Sequence, residues 1–149
     1  PALVAGPVSP VAPGTATVTP GRMATLTPDE AAGLAGTGVL LDARPPERFR
    51  GEVEPLDSRP GHIPSARNAP TGSLLAEDLT FLPASELAAR FADLGVAPQV
   101  PVGVYCGSGI TAAQVAAALA VVGVDAALYP GSWSQWSADP TRPVATGPA

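Results

Sequence analysis

Lysine is absent from this sequence, and all eight basic residues are arginine. The thirteen aspartate and glutamate residues bring the net charge to −5. Domains that bind nucleic acid usually carry clustered cations that contact the phosphates. An acidic chain without such a cluster is therefore not expected to have nucleic acid as a partner.

Cysteine and histidine each occur once, as Cys106 and His62. A single cysteine excludes an internal disulfide, and the two residues supply too few ligands for the common zinc sites, so we expect no metal. An unpaired thiol suits a reducing compartment, and we therefore expect a cytoplasmic protein.

Long apolar runs are also missing. The longest, over residues 115–124, is about half of the roughly 20 residues that a membrane-spanning helix needs. This run predicts a core helix, and we expect no membrane partner.

The composition predicts one globular domain preceded by a linker. Of the 149 residues, 46% are hydrophobic and 14% are charged, which is sufficient for a buried core. Residues 1–21 contain five prolines and three glycines but no charged residue, a composition that favours extended backbone. We interpret residues 1–21 as an interdomain linker or tail and residues 22–149 as the domain.

Strand and helix patterns alternate along this domain. Four short runs are typical of strands: residues 39–41, 66–69, 102–105 and 126–129. Four segments have helical patterns: residues 28–34, 46–49, 85–94 and a run that begins at Thr111. The alternation predicts an α/β fold with a central parallel sheet and helices on both faces.

Cys106 lies where a predicted strand passes into a predicted helix, next to Gly107 and Gly109. Thr111 stands in a plausible N-cap position for that helix, and Gly123 in a plausible stop position. Backbone N–H groups converge at such a turn and favour an anion, for which the Cys106 thiolate is the nearest candidate. A helix N-terminus lowers a cysteine pKa from about 8.5 into the range of roughly 3.5–7.5, which makes the thiol a nucleophile. The alternative is a buried structural cysteine.

Asp42 and Arg44 lie at the carboxyl end of the first predicted strand, the edge of a parallel sheet where sites are built. Two residues apart on a strand, their side chains point the same way. We interpret them as a supporting salt bridge.

The loop CGSGITA, over residues 106–112, resembles the active-site loop of the rhodanese sulfurtransferases, and especially the CGSGVTA version of 3-mercaptopyruvate sulfurtransferases. Further segments resemble the same family in the same order: LLDAR at 40–44 with ERFRG at 47–51, GHIPSARN at 61–68 and LYPGSWSQW at 128–136. Together they cover roughly residues 39–136. The resemblance is to the C-terminal, catalytic half of tandem two-domain enzymes.

This resemblance implies a rhodanese-like domain that transfers a sulfur atom through a persulfide on Cys106, without an organic cofactor. A small anionic donor would supply the sulfur, and a thiol or cyanide would accept it. The resemblance also assigns roles to the other residues. Catalytic roles fall to Ser108 and Thr111; donor or persulfide binding to Arg48, Gly107, Gly109 and Ile110; and support to Asp42, Arg44 and His62.

His62 could also be the base for Cys106, but the Gly-His-Ile-Pro segment is mainly structural in the resembling family. Arg59 is the one candidate for the second substrate arginine that family members often carry, although the spacing around it departs from their pattern. Two other functions stay open. One is a non-catalytic rhodanese-like binding module, and the other a cysteine-dependent phosphatase, whose expected arginine six positions after the cysteine is Ala112 here.

The neutral Gly107 and Ser108 stand where thiosulfate-specific relatives more often carry cations, so 3-mercaptopyruvate is the expected donor. The tandem resemblance and the apolar first segment also imply a preceding rhodanese-like domain that is missing from this chain. We expect such a domain to help bind the donor, so that the isolated half turns over with a raised KM.

Overall fold

The computed structural model of the chain describes residues 6, 14, 15, 17, 19 and 21–148, without the side chain of Ala35. Most of the predicted linker over residues 1–21 therefore lies outside the described residues. The domain predicted from residue 22 onward is described to residue 148.

Among the described residues, the four predicted strands and four predicted helices follow one another in the predicted order, and a fifth α-helix, which was not predicted, follows the last strand. The strands are β1 (Val39–Asp42), β2 (Arg67–Asn68), β3 (Val102–Tyr105) and β4 (Ala126–Leu128). The helices are α1 (Pro28–Thr37), α2 (Pro46–Phe49), α3 (Ala84–Asp93), α4 (Ile110–Val121) and α5 (Ser132–Ala138), with a 3₁₀ helix at Thr71–Leu74.

The strands form one parallel sheet in the order β2-β1-β3-β4. β1 and β3 are adjacent, with Asp42 in register with Tyr105, so the residues after both strands meet at one edge of the sheet. This edge brings Asp42 and Arg44 near Cys106, as predicted. The α/β architecture with a central parallel sheet is confirmed.

Each face of the sheet packs against helices because the strand residues alternate between two cores. Leu41, Val104 and Cys106 face a core shared with α3 and α4. Leu40 and Tyr105 face the other core, with apolar residues of α1 and both tryptophans of α5. Helices therefore cover both faces, and among the described residues none is long and apolar enough to cross a membrane.

The boundaries of three helices differ from the sequence predictions, and α3 is displaced by one residue, from the predicted 85–94 to Ala84–Asp93. α1 begins with the capping box of Thr27 and Glu30 but continues past Leu34 to Thr37. The prediction that Thr111 is an N-cap is wrong, because α4 begins at Ile110 and its N-cap is Gly109. Gly123, with φ of +77°, follows the end of α4 as predicted.

Candidate active site

Cys106 follows β3 directly, and its side chain is buried at the start of the turn into α4. The Gly109 N–H donates a hydrogen bond to its sulfur at 3.0 Å. The Thr111 hydroxyl and the N–H groups of Ala112 and Ser108 also interact with the sulfur. The sulfur thus lies in a ring of donors at the N-terminus of α4.

These donors determine the ionisation of the thiol. Burial alone would raise the pKa of Cys106, because it removes the thiolate from water. The hydrogen bonds from Thr111, Ala112, Ser108 and Gly109 outweigh burial and lower the pKa below its ordinary value. The sequence argument for an activated thiol has this physical basis, and the thiolate is the form that attacks sulfur.

Gly109 makes the ring of donors possible. Its φ of +87° lies in the left-handed region, and a Cβ there would lie 2.7 Å from the Pro130 carbonyl oxygen. Glycine is therefore required both for the turn and for the close approach of the loop before α5.

The N-terminus of α5 holds the loop from the other side. The N–H groups of Trp133 and Ser134 donate to the carbonyl oxygens of Cys106 and Gly107, both at 2.9 Å. Because a trans peptide is planar, a Gly107 carbonyl turned toward α5 turns the Ser108 N–H the opposite way, toward the sulfur. Ser132 completes this contact, since its Oγ accepts from the Cys106 N–H at 3.2 Å.

Sequence reasoning assigned no role to Ser132, although it lies within a segment that resembles the family. Its φ of +52° is rare for a residue with a side chain, and the residue is fully buried. The Ser132 Oγ also donates to the Tyr129 carbonyl at 2.9 Å. Strain and burial at a polar residue mark it as part of the support for Cys106.

Asp42 and Arg44 form the predicted salt bridge, with Nη2 and Oδ2 2.7 Å apart and both side chains buried. Arg44 also donates to the Gly61 carbonyl at 2.6 Å and lies over the Trp133 ring at 4.6 Å. Burial opposes the charged form of Arg44, but the bonds to Asp42 dominate and raise its pKa. This pair links β1 to the long loop and to α5, which is a structural role.

Arg48, on α2, brings a guanidinium to the cysteine loop. A Cβ atom added to Gly107 would lie 3.7 Å from Nη1 and 3.9 Å from Nη2 of Arg48. Nη2 donates to Glu54 at 2.5 Å and to Asp57 at 3.1 Å. Its Nε is buried without a partner among the described residues. The structure therefore places Arg48 beside Gly107 of the cysteine loop and pairs it with carboxylates, and its role in donor binding stays a prediction.

Arg59 is far less available. Its guanidinium donates to the backbone carbonyls of Trp136, Ser137, Asp139 and Arg142 at 2.6–3.1 Å. These bonds close the C-terminal end of α5, where helical carbonyls otherwise lack partners. The Arg59 guanidinium is thus occupied in binding backbone carbonyls, which is a structural role. The unusual spacing around Arg59 in the sequence agrees with this role and not with that of a second substrate arginine.

His62 lies against α2. Its Nδ1 is 2.7 Å from the Phe49 carbonyl oxygen, and its ring stacks on the Phe49 ring with centroids 3.7 Å apart. Burial lowers the pKa of His62 and keeps the ring neutral. These contacts fit the structural interpretation of this histidine and not the role of a base for Cys106.

The other predicted site residues lie on the open side of the loop. Ser108 is exposed, and its hydroxyl has no partner among the described residues. Ile110 is 77% exposed at the start of α4. Gly107 is partly exposed beside Arg48. The structure brings all three to the mouth of the Cys106 site, and their proposed roles stay predictions.

Three cavities lie away from this loop. The largest, of about 810 Å³, is lined by β2, the end of α3 and residues 145–148, and the others measure about 710 and 340 Å³. None of the three is lined by residues 106–110. Within the described part of the chain, no group of three or more histidine, cysteine or acidic side chains could hold a metal ion.

The rhodanese-like domain family matches residues 27–139. The chain belongs to this family. SseB of Mycobacterium tuberculosis, which is named as a candidate thiosulfate sulfurtransferase, is 58% identical over 129 residues. That match covers 87% of this chain and 45% of SseB. The 3-mercaptopyruvate sulfurtransferase of Escherichia coli is 45% identical over 111 residues, or 72% of this chain and 39% of that enzyme.

Among solved structures, EanB superposes with a TM-score of 0.73 at 27% identity, over 80% of this chain and 31% of EanB. That structure carries a cysteine persulfide and ergothioneine. The rhodanese-like chain described here spans less than half the length of these relatives.

Proposed function

We propose that this rhodanese-like domain is a sulfurtransferase that carries sulfur on Cys106. The observation that carries the proposal is the ring of donors around a thiol whose pKa is lowered despite burial. Relatives named as sulfurtransferases support the reaction class, and a persulfide in a structural relative supports the intermediate. A non-catalytic binding module would need neither the thiol nor the donors.

In the first step the Cys106 thiolate attacks the outer sulfur of the donor. With thiosulfate, the S–S bond of the donor breaks and its electron pair leaves with sulfite. With 3-mercaptopyruvate, the C–S bond breaks, and the carbon that receives the electron pair takes the proton of the donor thiol to give pyruvate. Either route leaves a persulfide whose terminal sulfur is negative. The hydrogen bonds that lower the pKa of Cys106 increase the fraction of the thiol that is present as the attacking thiolate.

In the second step a cyanide or thiolate acceptor attacks the terminal sulfur and restores the Cys106 thiolate. Backbone N–H groups that stabilise the thiolate can stabilise the persulfide in the same way, because both are sulfur anions. The resemblance assigned donor or persulfide binding in this loop to Gly107, Gly109 and Ile110. The groups that face the thiolate belong to Ser108, Gly109 and Ala112, with the Thr111 hydroxyl.

Arg48 is proposed to bind the anionic part of the donor. Its Nη1 has no partner among the described residues, and the guanidinium lies beside Gly107. A guanidinium offers planar pairs of N–H groups that match a carboxylate or sulfonate. The prediction that 3-mercaptopyruvate is preferred over thiosulfate rests on the absence of other cations in the loop and remains part of this proposal.

The expectation that a preceding rhodanese-like domain completes the site also remains a proposal. Ile110 and Leu56 are 77% and 80% exposed. Ile110 lies in the cysteine loop, and Leu56 precedes the Asp57 that contacts Arg48. Exposed apolar side chains around a reactive thiol are suited to contact with a wall supplied by another domain.

The mass of the intact protein after exposure to each donor tests the function. We expect the mass to increase by one sulfur atom, the increase to disappear on addition of cyanide, and the Cys106→Ser variant to gain nothing. A protein that gains no sulfur from either donor, or a variant that gains as much as the wild type, would contradict the proposal and leave the binding module as the better interpretation.

A further inference from the structure

We propose that Asp57 determines the donor specificity of this site, because its carboxylate occupies Arg48 and weakens the binding of anionic reagents beside Cys106 in proportion to their charge. For the natural donors this inference rests on the proposed function. The ion pairs of Arg48, on which the inference is based, are observed in the structure and do not depend on that function.

The cluster around Arg48 has a surplus of negative charge. Asp42, Glu54 and Asp57 supply three carboxylates, whereas Arg44 and Arg48 supply two guanidinium groups. None of the five side chains is more than 14% exposed, so water screens their charges poorly. The positive charge expected to attract an anionic donor is therefore more than cancelled.

Glu54 and Asp57 differ in what they hold. Glu54 bridges Arg44 and Arg48, and its Oε1 also accepts the N–H groups of Leu56 and Asp57 at 3.2 Å. Removing Glu54 would leave two buried guanidinium groups short of a partner, a large cost to the fold. Among the residues that the structure describes, the side chain of Asp57 bonds to Arg48 alone, at 3.1 Å. Asp57 is therefore the carboxylate that can change without breaking the cluster.

The place of Asp57 on the guanidinium makes it a competitor of the donor. Asp57 and Glu54 both bind Nη2, the nitrogen common to both planar forks of the guanidinium. A donor that binds Arg48 through two parallel hydrogen bonds must share or take Nη2, while a donor that binds Nη1 alone still lies near the Asp57 charge. Both cases penalise a dianion more than a monoanion, so Asp57 favours donors of low charge.

The test compares alkylation of Cys106 by iodoacetate and by iodoacetamide, which are similar in size and differ by one negative charge. The ratio of the two rates cancels any change in the thiol itself, because both reagents attack the same thiolate. A unit charge about 4 Å away alters an equilibrium about fivefold even at the dielectric constant of water. We expect Asp57→Asn to raise the iodoacetate to iodoacetamide ratio about fivefold and Arg48→Gln to lower it.

Glu52→Gln is the matched control. It removes one negative charge from the same loop, but Glu52 is 55% exposed and pairs with Arg50. An equal ratio in Asp57→Asn and Glu52→Gln would overturn the proposal. Asp57→Ser replaces Asp57→Asn if the latter does not fold, and failure of both to fold would overturn it too, by assigning Asp57 to stability.

Steady-state kinetics then extend the test to the donors. In Asp57→Asn we expect KM to fall with kcat unchanged, and kcat/KM for thiosulfate to gain about fivefold relative to 3-mercaptopyruvate, because thiosulfate carries the larger charge. A shifted alkylation ratio in a protein that accepts no sulfur would refute the proposed function and leave the Asp57 inference intact. Normal sulfur transfer with an unshifted alkylation ratio would refute the Asp57 inference and leave the proposed function intact.

Discussion

Replacing Thr111 by valine should raise the pKa of Cys106 and slow the thiol at low pH. Valine keeps the size and branching of threonine and removes only the hydroxyl. Thr111 makes the largest contribution among the groups that lower the thiol pKa, ahead of the N–H groups of Ala112, Ser108 and Gly109. The variant therefore removes one donor from the ring and leaves the backbone donors in place.

The size of the effect follows from the bond that is lost. Hydrogen bonds to charged groups contribute about 1.5–3 kcal/mol, and the exposed Thr111 belongs at the lower end because water can replace it. About 1.4 kcal/mol lowers the thiolate fraction tenfold where the thiol is mostly protonated. A more basic thiolate is also a better nucleophile, with a Brønsted coefficient of about 0.4–0.5. The net loss of rate on the acidic side should be about three- to fourfold.

The assay is the rate of reaction with a neutral dipyridyl disulfide as a function of pH. In Thr111→Val the midpoint of the profile should move to higher pH, and Thr111→Ser should restore it. Ser108→Ala should leave the midpoint unchanged, because Ser108 acts through its backbone N–H. Coincident profiles for Thr111→Val and the wild type would show that the backbone donors alone set the pKa, and would refute the role given to the hydroxyl.

Two further predictions concern stability. Gly109→Ala should lose roughly 1–3 kcal/mol of unfolding free energy because alanine disfavours the left-handed backbone, and more because its Cβ would contact Pro130. Gly123 has φ of +77° and open space around it, so Gly123→Ala should show only the loss from the backbone, and urea unfolding of both variants measures the difference. Burial lowers the pKa of His62 from about 6.5, so as pH falls the imidazole binds a proton in the unfolded chain before it does so in the folded protein. The protein should therefore lose stability as pH falls from 6.5 through the lowered pKa. Melting temperatures at pH 7.5 and 5.5 test this, and His62→Asn should show a smaller difference between the two pH values.

The strands and most helices could be predicted because their signals are local. Residues 39–41 and 102–105 form short runs that are typical of buried parallel strands, and Pro28 lies within a capping box formed by Thr27 and Glu30. The edge of the sheet that holds Cys106, Asp42 and Arg44 follows from these elements, since parallel strands end together.

The partners of the site could not be predicted, because they come from distant parts of the chain. Arg59 donates to carbonyls 77 to 83 residues away, and the Cys106 N–H donates to Ser132 Oγ across 26 residues. Glu54 and Asp57 belong to a loop without helical or strand periodicity, so no spacing marks them as partners of Arg48. The acidic residues of that loop are visible in the sequence, but the sequence does not show that their carboxylates face Arg48.

The wrong N-cap at Thr111 has a chemical cause that connects the fold to the reaction. α4 has no side-chain cap at Gly109, and the N–H groups that a serine or aspartate would accept are turned to the Cys106 sulfur instead. The thiolate therefore acts as the cap of the helix, and Thr111 adds a donor to the same anion. A thiol whose folded pKa is lowered stabilises the fold fully above its pKa in the unfolded chain, and this contribution is lost as pH falls through the folded pKa. A persulfide is also a sulfur anion, so we expect the proposed persulfide on Cys106 to keep α4 capped through both steps of the proposed reaction.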